Sequence, residues 1–340
     1  MPQPTRSQVH VNAPLTMISI AFIQKAQDFI ADKCFPIVPV MKQSDRYFVY
    51  TQDYWFRTAA QKRAVASESA GSGFQINNTP TYYCDVWAVH QDIDDQTRAN
   101  ADTPLNMDRD ATMYVSQQLL LRRELEFVLN YIQPSIWTGN PAGDFNVGVS
   151  TGSQGQWDQS TSDPMYDVDY NKQLVKSQTG FLPNTLIVAA DVFFALRNNA
   201  AVLDRIKYTQ RGIVSEDLLA ALFGVEKFLV ASAVLNSSQE GSSTLSGTAG
   251  GSVPAASYGF IVKNTCLLVY ANPAPSLLQP SGGYIFSWQG LFGAGAQGNR
   301  ISSFRMEHLK ADRIEGEMAF QMNQIAPNMG VYFFNVLQNA

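Results

Sequence analysis

The segment DRDATMYVSQQLLLRRELEFVLNYIQP, residues 108–134, reads as one long helix. Asp108 and Asp110 place negative charge at the positive end of the helix dipole, and Pro134 cannot continue the hydrogen-bond ladder. Leu121, Leu125, Val128, Leu129 and Ile132 recur at i, i+4, i+7 and i+8 and form an apolar stripe, with Arg122, Arg123, Glu124 and Glu126 on other faces. This is an amphipathic spine, and its neighbours are segments of a different kind.

Upstream, YFVYTQDYWF (47–56) is aromatic and β-rich, and TPTYYCDVWAVHQDI (79–93) reads as its returning strand. The polar tip between them, RTAAQKRAVASESAGSGFQINN, far exceeds the few residues that usually join paired strands. A two-stranded ribbon cannot bury enough of itself to stand alone, so its aromatic strands call for another surface, such as a neighbouring subunit. Residues 1–14 hold three prolines and no periodicity and form an arm; Met17 to Ile30 follow helical spacing behind Thr16 as N-cap. FPIVPVM (35–41) is extended because its prolines block a helix.

Downstream, the Gly- and Ser-rich WTGNPAGDFNVGVSTGSQGQW (137–157) reads as an exposed excursion. Helix and strand then alternate: a helix over 163–178, a strand over 184–190, short helices over 191–198 and 215–223, and a strand in VEKFLVASAV. A flexible loop, SSQEGSSTLSGTAGGS, leads to β-rich FIVKNTCLLVYAN and YIFSWQG; the Gly-rich tip LFGAGAQGN precedes strands in SSFRMEHLK, RIEGEMAFQMN and VYFFNVL.

Composition limits the function. The 340 residues are 45% hydrophobic, 16% charged and 11% aromatic, with net charge -5, which argues against a surface devoted to nucleic acid and leans toward an oligomer. Cys34, Cys84 and Cys266 lie far apart with no metal-ligand spacing, and no apolar run reaches membrane length. His10, His90 and His308 accompany no catalytic motif. HQDIDD (90–95) gathers Asp92, Asp94 and Asp95 but lacks the EF-hand spacing, and reads as a solvated turn. LDRIKYTQRGIVSEDLLAALFG (203–224) holds Arg205, Lys207 and Arg211 near Arg197; Ser215 as N-cap, Glu216 and Asp217 in the first turn and Gly224 at the end explain its helix without a phosphate.

The order of parts, together with WDQSTSDPMYDVDYNKQLVKSQTGFLPNTLIVAADVFFAL, LDRIKYTQRGIVSEDLLAALFGVEKFLVASAVLNSS and RISSFRMEHLKADRIEGEMAFQMNQIAPNMGVYFFNVL, resembles the major capsid proteins of tailed bacteriophages over nearly the whole chain. The resemblance implies an α+β capsid fold, shared with the herpesvirus capsid floor and encapsulins. It implies an N-terminal arm and helix (1–44), an extended β-hairpin loop (45–95), a peripheral domain (96–156 and 300–340) with its spine helix at 108–132, and an axial domain (157–299). It implies a structural protein, not an enzyme, without a cofactor or metal. Copies would form hexamers and pentamers of an icosahedral shell that encloses double-stranded DNA without reading its sequence, in a virion assembled in the host cytoplasm, with portal, scaffolding and decoration proteins as further partners. The short arm leaves scaffolding to another protein. Inter-subunit contacts are expected from Trp55, Arg57, Lys62, Arg63 and Glu68 on the hairpin and from Arg205, Lys207 and Arg211, which would face carboxylates of adjacent subunits. Some members of the family join a loop Lys to an Asn of another subunit; Lys62 and Asn328 or Asn335 match by chain position alone. The alternatives are an encapsulin-like compartment shell and an α/β enzyme, the latter without a recognisable nucleophile, base or phosphate loop.

Overall fold

The computed structural model describes residues 24–101, 105–207, 214–237, 257–275, 279–292 and 299–338. The arm, most of the helix expected after Thr16, most of the 237–252 loop, Arg211 and most of the Gly-rich tip at 291–299 lie outside these residues.

Two sheets organise the chain. The first is built around the long strand Ala311–Gln324, which pairs antiparallel with Asp85–Asp94 on one side and with Asn299–Met306 and Gly283–Trp288 on the other; Ile37–Val40 adds parallel to Gly283–Trp288. The spine helix, Met107–Tyr131, lies against this sheet, with Asn106 capping its first turn by accepting from the Arg109 amide. It comes close because Gly316 faces it: a Cβ there would sit 2.4 Å from Val115 Cγ1 and 2.8 Å from Leu119 Cδ1.

The expected stripe on this helix reaches the core only at its end, where Ile132 is buried and Val128 packs half-buried against it. Leu129 is 57% exposed, and Leu121 and Leu125 are half-buried; the buried positions are Ala111, Val115, Leu119, Arg123, Phe127 and Tyr131, with Glu124 beside them. A step of four residues overshoots one helical turn by about 40°, so this set winds around the helix. The helix thereby meets the sheet through its N-terminal half and, through its C-terminal half, an aromatic cluster in which Phe35 lies 4.5 Å from Tyr131 and Tyr131 lies 5.2 Å from Phe127.

The second sheet runs Phe145–Asn146, Gly330–Phe334, Thr265–Val269, Thr185–Ala189, Lys227–Ala231. Its ladders cross the expected boundary at 299/300, since Gly330–Phe334 pairs with Thr265–Val269. Helix Pro164–Thr179 follows the local rules: Asp163 accepts from the Met165 and Tyr166 amides, Pro164 opens the helix, and Gly180 ends it at φ +77. Ala190–Asn198 and Glu216–Leu222 form as the spacing predicts, the latter capped by Ser215.

Two expectations fail for physical reasons. The 137–157 segment is not an exposed excursion, because Trp137, Phe145, Val147 and Trp157 are buried and anchor its turns in the core. Asp167, itself buried, accepts from the Gln154 amide (2.8 Å) and Trp157 Nε1 (2.9 Å) and ties the segment to the following helix. Helical spacing up to Ile30 does not give a continuous helix in the described part. A 3-10 turn, Ala26–Asp28, is followed by extended Phe29 and a single turn, Ala31–Cys34, because Phe29, Ile30 and Cys34 are drawn into the core.

Candidate inter-subunit surface

The hairpin leaves the first sheet at Cys84. Ser44–Arg46 pairs with Thr81–Tyr83, and Val49–Tyr50 pairs with Ile76–Asn77, both antiparallel. Its root is held by Tyr82 stacked on Phe286 at 4.8 Å and by Tyr47 against the same ring at 5.4 Å. Beyond Tyr50 the expected strand gives way to a helical turn, Gln52–Trp55. Tyr50, Trp55 and Phe74 pack on one another with centroids 5.5 to 6.1 Å apart, so the ribbon supports itself with a small aromatic cluster.

That cluster does not close the surface. Phe48 is 62% exposed, Trp55 55%, and Phe56 and Phe74 are exposed beside them. Beyond the root, Gln52 ties the hairpin to its own body, donating to the Gln178 carbonyl (2.5 Å) and accepting from Asn328 Nδ2 (2.7 Å). A cavity of about 670 Å³ remains between Phe48, Tyr50 and Phe56 on the hairpin and Phe181, Tyr284 and Pro327 on the body. Large unpartnered aromatic surface on a projecting ribbon is what an association surface requires.

The expected contact residues fall into two separate groups. Arg57, Lys62, Arg63 and Glu68 are exposed beyond Trp55, with Arg63 Nε donating to the Ser67 carbonyl (2.5 Å). Arg205 is half exposed and lies 3.5 Å from Asp163, and Lys207 pairs with Asp204; both cations therefore have acidic partners within their own chain. Asn328 is engaged by Gln52, and Asn335 donates to Asn146 Oδ1 (3.2 Å).

The aspartates of the 90–95 run are used one by one. Arg313 grips Asp92 through two bonds of 2.7 and 2.8 Å, Asp94 caps helix Asp95–Ala99, and Arg305 grips Asp95 through two bonds of 2.6 Å. Arg305 also reaches Asp312, which Arg98 pairs with, and Arg98 continues to Asp108 at the start of the spine helix. Hydrogen bonds from these arginines hold Asp92, Asp95 and Asp312 below the usual carboxylate range. Among the described residues no cluster of His, Cys, Asp and Glu could hold a metal ion.

A second ionic group is buried and escaped the sequence reading. Glu124, 1% exposed, accepts from the amides of Ile30 (3.0 Å) and Ala31 (3.0 Å), and Arg123, 4% exposed, lies 2.5 Å from Asp32 and over the Phe320 ring. Burial pushes the Glu124 carboxyl up to about 7 and lowers Arg123. The signal was there: Ala111, Val115, Leu119, Phe127 and Tyr131 keep a four-residue step that Arg123 alone interrupts.

No family model matches the chain. The major capsid protein of Burkholderia phage BcepMu is 24% identical over 225 residues, covering 66% of this chain and 69% of that protein. A phage-related protein from Bordetella bronchiseptica RB50 superposes with a TM-score of 0.65 at 19% identity, covering 93% of this chain and 95% of the other. The mature capsid of bacteriophage PhiM1 gives 0.55 at 11% identity, over 98% and 93%. The holo-SrpI encapsulin complex of Synechococcus elongatus PCC 7942 gives 0.55 at 10%, over 95% and 94%. The chain thus has the mixed helix-and-sheet fold of phage capsid proteins and encapsulins.

Proposed function

We propose that this chain is the major capsid protein of a tailed bacteriophage, a structural protein whose copies build the shell of the virion. One observation carries the reading: a chain with the capsid fold over nearly its full length projects an aromatic hairpin that its own body leaves uncovered. A relative of curated function, from Burkholderia phage BcepMu, is a major capsid protein, which favours this reading over a compartment shell of encapsulin type.

The finer assignment follows the parts. The hairpin over 45–95 lies across a neighbouring subunit and buries Trp55 there, with Arg57, Lys62, Arg63 and Glu68 reading charges around the contact. The spine helix and the final strands, within 96–156 and 300–340, form the peripheral domain, and residues 157–299 form the axial domain at the centre of hexamers and pentamers. Arg205, Lys207 and Arg211 fix register between adjacent axial domains. Because Arg205 and Lys207 already have partners in their own chain, they act by sharing those carboxylates across the interface, which gives specificity more than stability. Heterologous contacts of this kind close into rings and shells. Double-stranded DNA is enclosed without sequence-specific contacts, as suits a chain of net charge -5. Portal, scaffolding and decoration proteins complete the particle, and assembly takes place in the host cytoplasm.

The test is electron microscopy of purified protein with nucleic acid assayed in the parent particle. Closed icosahedral shells protecting genomic DNA are expected. Small shells filled with a protein cargo would assign the chain to the compartment class instead.

A further inference from the structure

Gln24, the first described residue, is anchored on the outer edge of the strand Val234–Asn236. Its side-chain amide donates to the Val234 carbonyl (2.6 Å) and accepts from the Val234 amide (2.9 Å), and Asp28 accepts from Ser232 (3.2 Å). The point from which the preceding residues depart is thereby fixed. Val234 in turn pairs with Phe260 of the strand Tyr258–Phe260. That ladder is bonded from Ile261 to Ala233 and from Ser237 to Ser257, so Val234 and Phe260 form an intervening pair. The polar backbone groups of such a pair point outward and its side chains lie closest together. Gln24 takes the place of a further strand at this edge.

Beside the ribbon lies a cleft of about 850 Å³, lined by Trp157, Ala190, Phe194, Ala195, Phe260 and Leu337. Its carboxylates are already engaged: Asp158 accepts from the Gln338 amide (3.1 Å), and Asp191 accepts from the amides of Val192 and Asn264 (2.8 Å each). What stays open to water is apolar. Phe194 is 68% exposed, and Phe260 is exposed as well. The nine residues before Gln24, LTMISIAFI (15–23), carry no charge, and six of them are large apolar side chains that gain from burial. The cleft is within their reach, since crossing two strands spaced about 4.8 Å apart takes about three extended residues at about 3.3 Å each. A tethered segment meets a site on its own chain at high effective concentration, which favours its own cleft over that of a second copy.

We propose that residues 15–23 dock on their own chain: from the Gln24 anchor they cross the Val234–Phe260 ribbon and cover the face of helix Ala190–Asn198 that carries Phe194 and Asn198. The uncharged segment and the apolar cleft satisfy each other, and the Gln24 side chain sets where the crossing starts. This inference concerns the single chain and stands apart from the shell reading.

Thiol labelling of full-length protein, diluted until sedimentation shows single chains, tests it. The three native cysteines are buried, so Asn198→Cys, four residues along from Phe194 and exposed on the same helix, supplies the reporter. A maleimide should modify the introduced thiol at least about tenfold more slowly than it does once Ile20→Asp and Phe22→Asp are added, because charge drives the segment off an apolar surface. Phe194→Glu, which spoils the surface and leaves the segment intact, should free the thiol to the same extent. A rate unchanged by either disruption would overturn the docking. So would protection that fades as the protein is diluted further, since the cover would then come from a second copy.

Discussion

At the scale of single residues, buried carboxylates carry most of what the sequence hid. Asp167 and Glu124 are both pushed up by burial, to about 6 and about 7. A carboxyl whose folded value exceeds its unfolded value binds the proton more tightly in the folded state, so its stabilising share is present at low pH and lost as pH rises through the folded value. Thermal unfolding of unassembled protein should accordingly show a decline in stability from about pH 4 to 7, the lower part flattened in Asp167→Asn and the upper part in Glu124→Gln. Asp92, Asp95 and Asp312 act in the opposite sense: their pairing stabilises at neutral pH and fades as pH falls through their lowered values. Asp167→Ala strands the Trp157 indole and the Gln154 amide, and should cost about 2–4 kcal/mol in urea unfolding of the same species.

At the scale of elements, close approach and projection set two further expectations. Gly316→Ala places a methyl against Val115 and Leu119 and should destabilise by about 1–3 kcal/mol in the same measurement, because helix and strand cannot both stay where they are. Trp55→Ala should change the stability of the unassembled chain by less than about 1 kcal/mol, since the ring is half exposed, yet should block assembly in sedimentation. The strands and short helices were legible because caps, prolines and period-two patterns are local: Asp163, Pro164 and Gly180 bracket one helix, and Ser215 starts another. The buried face of the spine was missed although its four-residue step stands in the sequence, because Arg123 interrupts the apolar series and the face winds around the helix. Gly- and Ser-rich composition likewise concealed that Trp137 and Trp157 pin the 137–157 segment into the core. The hairpin was legible as an aromatic ribbon, whereas the Arg98–Asp312–Arg305–Asp95 network joins residues over 200 positions apart and has no local signature.

At the scale of the whole molecule, the fold presents unpartnered aromatic surface on the hairpin and paired but exposed charge at Arg205. Charge reversal in Arg205→Glu should leave the melting of the single chain almost unchanged, because an exposed pair contributes little, and should lower the yield of closed particles read by sedimentation. The most direct measurement is a cryo-electron-microscopy reconstruction of purified full-length protein under assembly conditions. The account predicts closed shells of hexamers and pentamers, with Trp55 of each copy buried against its neighbour. A monodisperse monomer or dimer under every condition, with the hairpin folded onto its own body and its aromatic surface covered there, would contradict it.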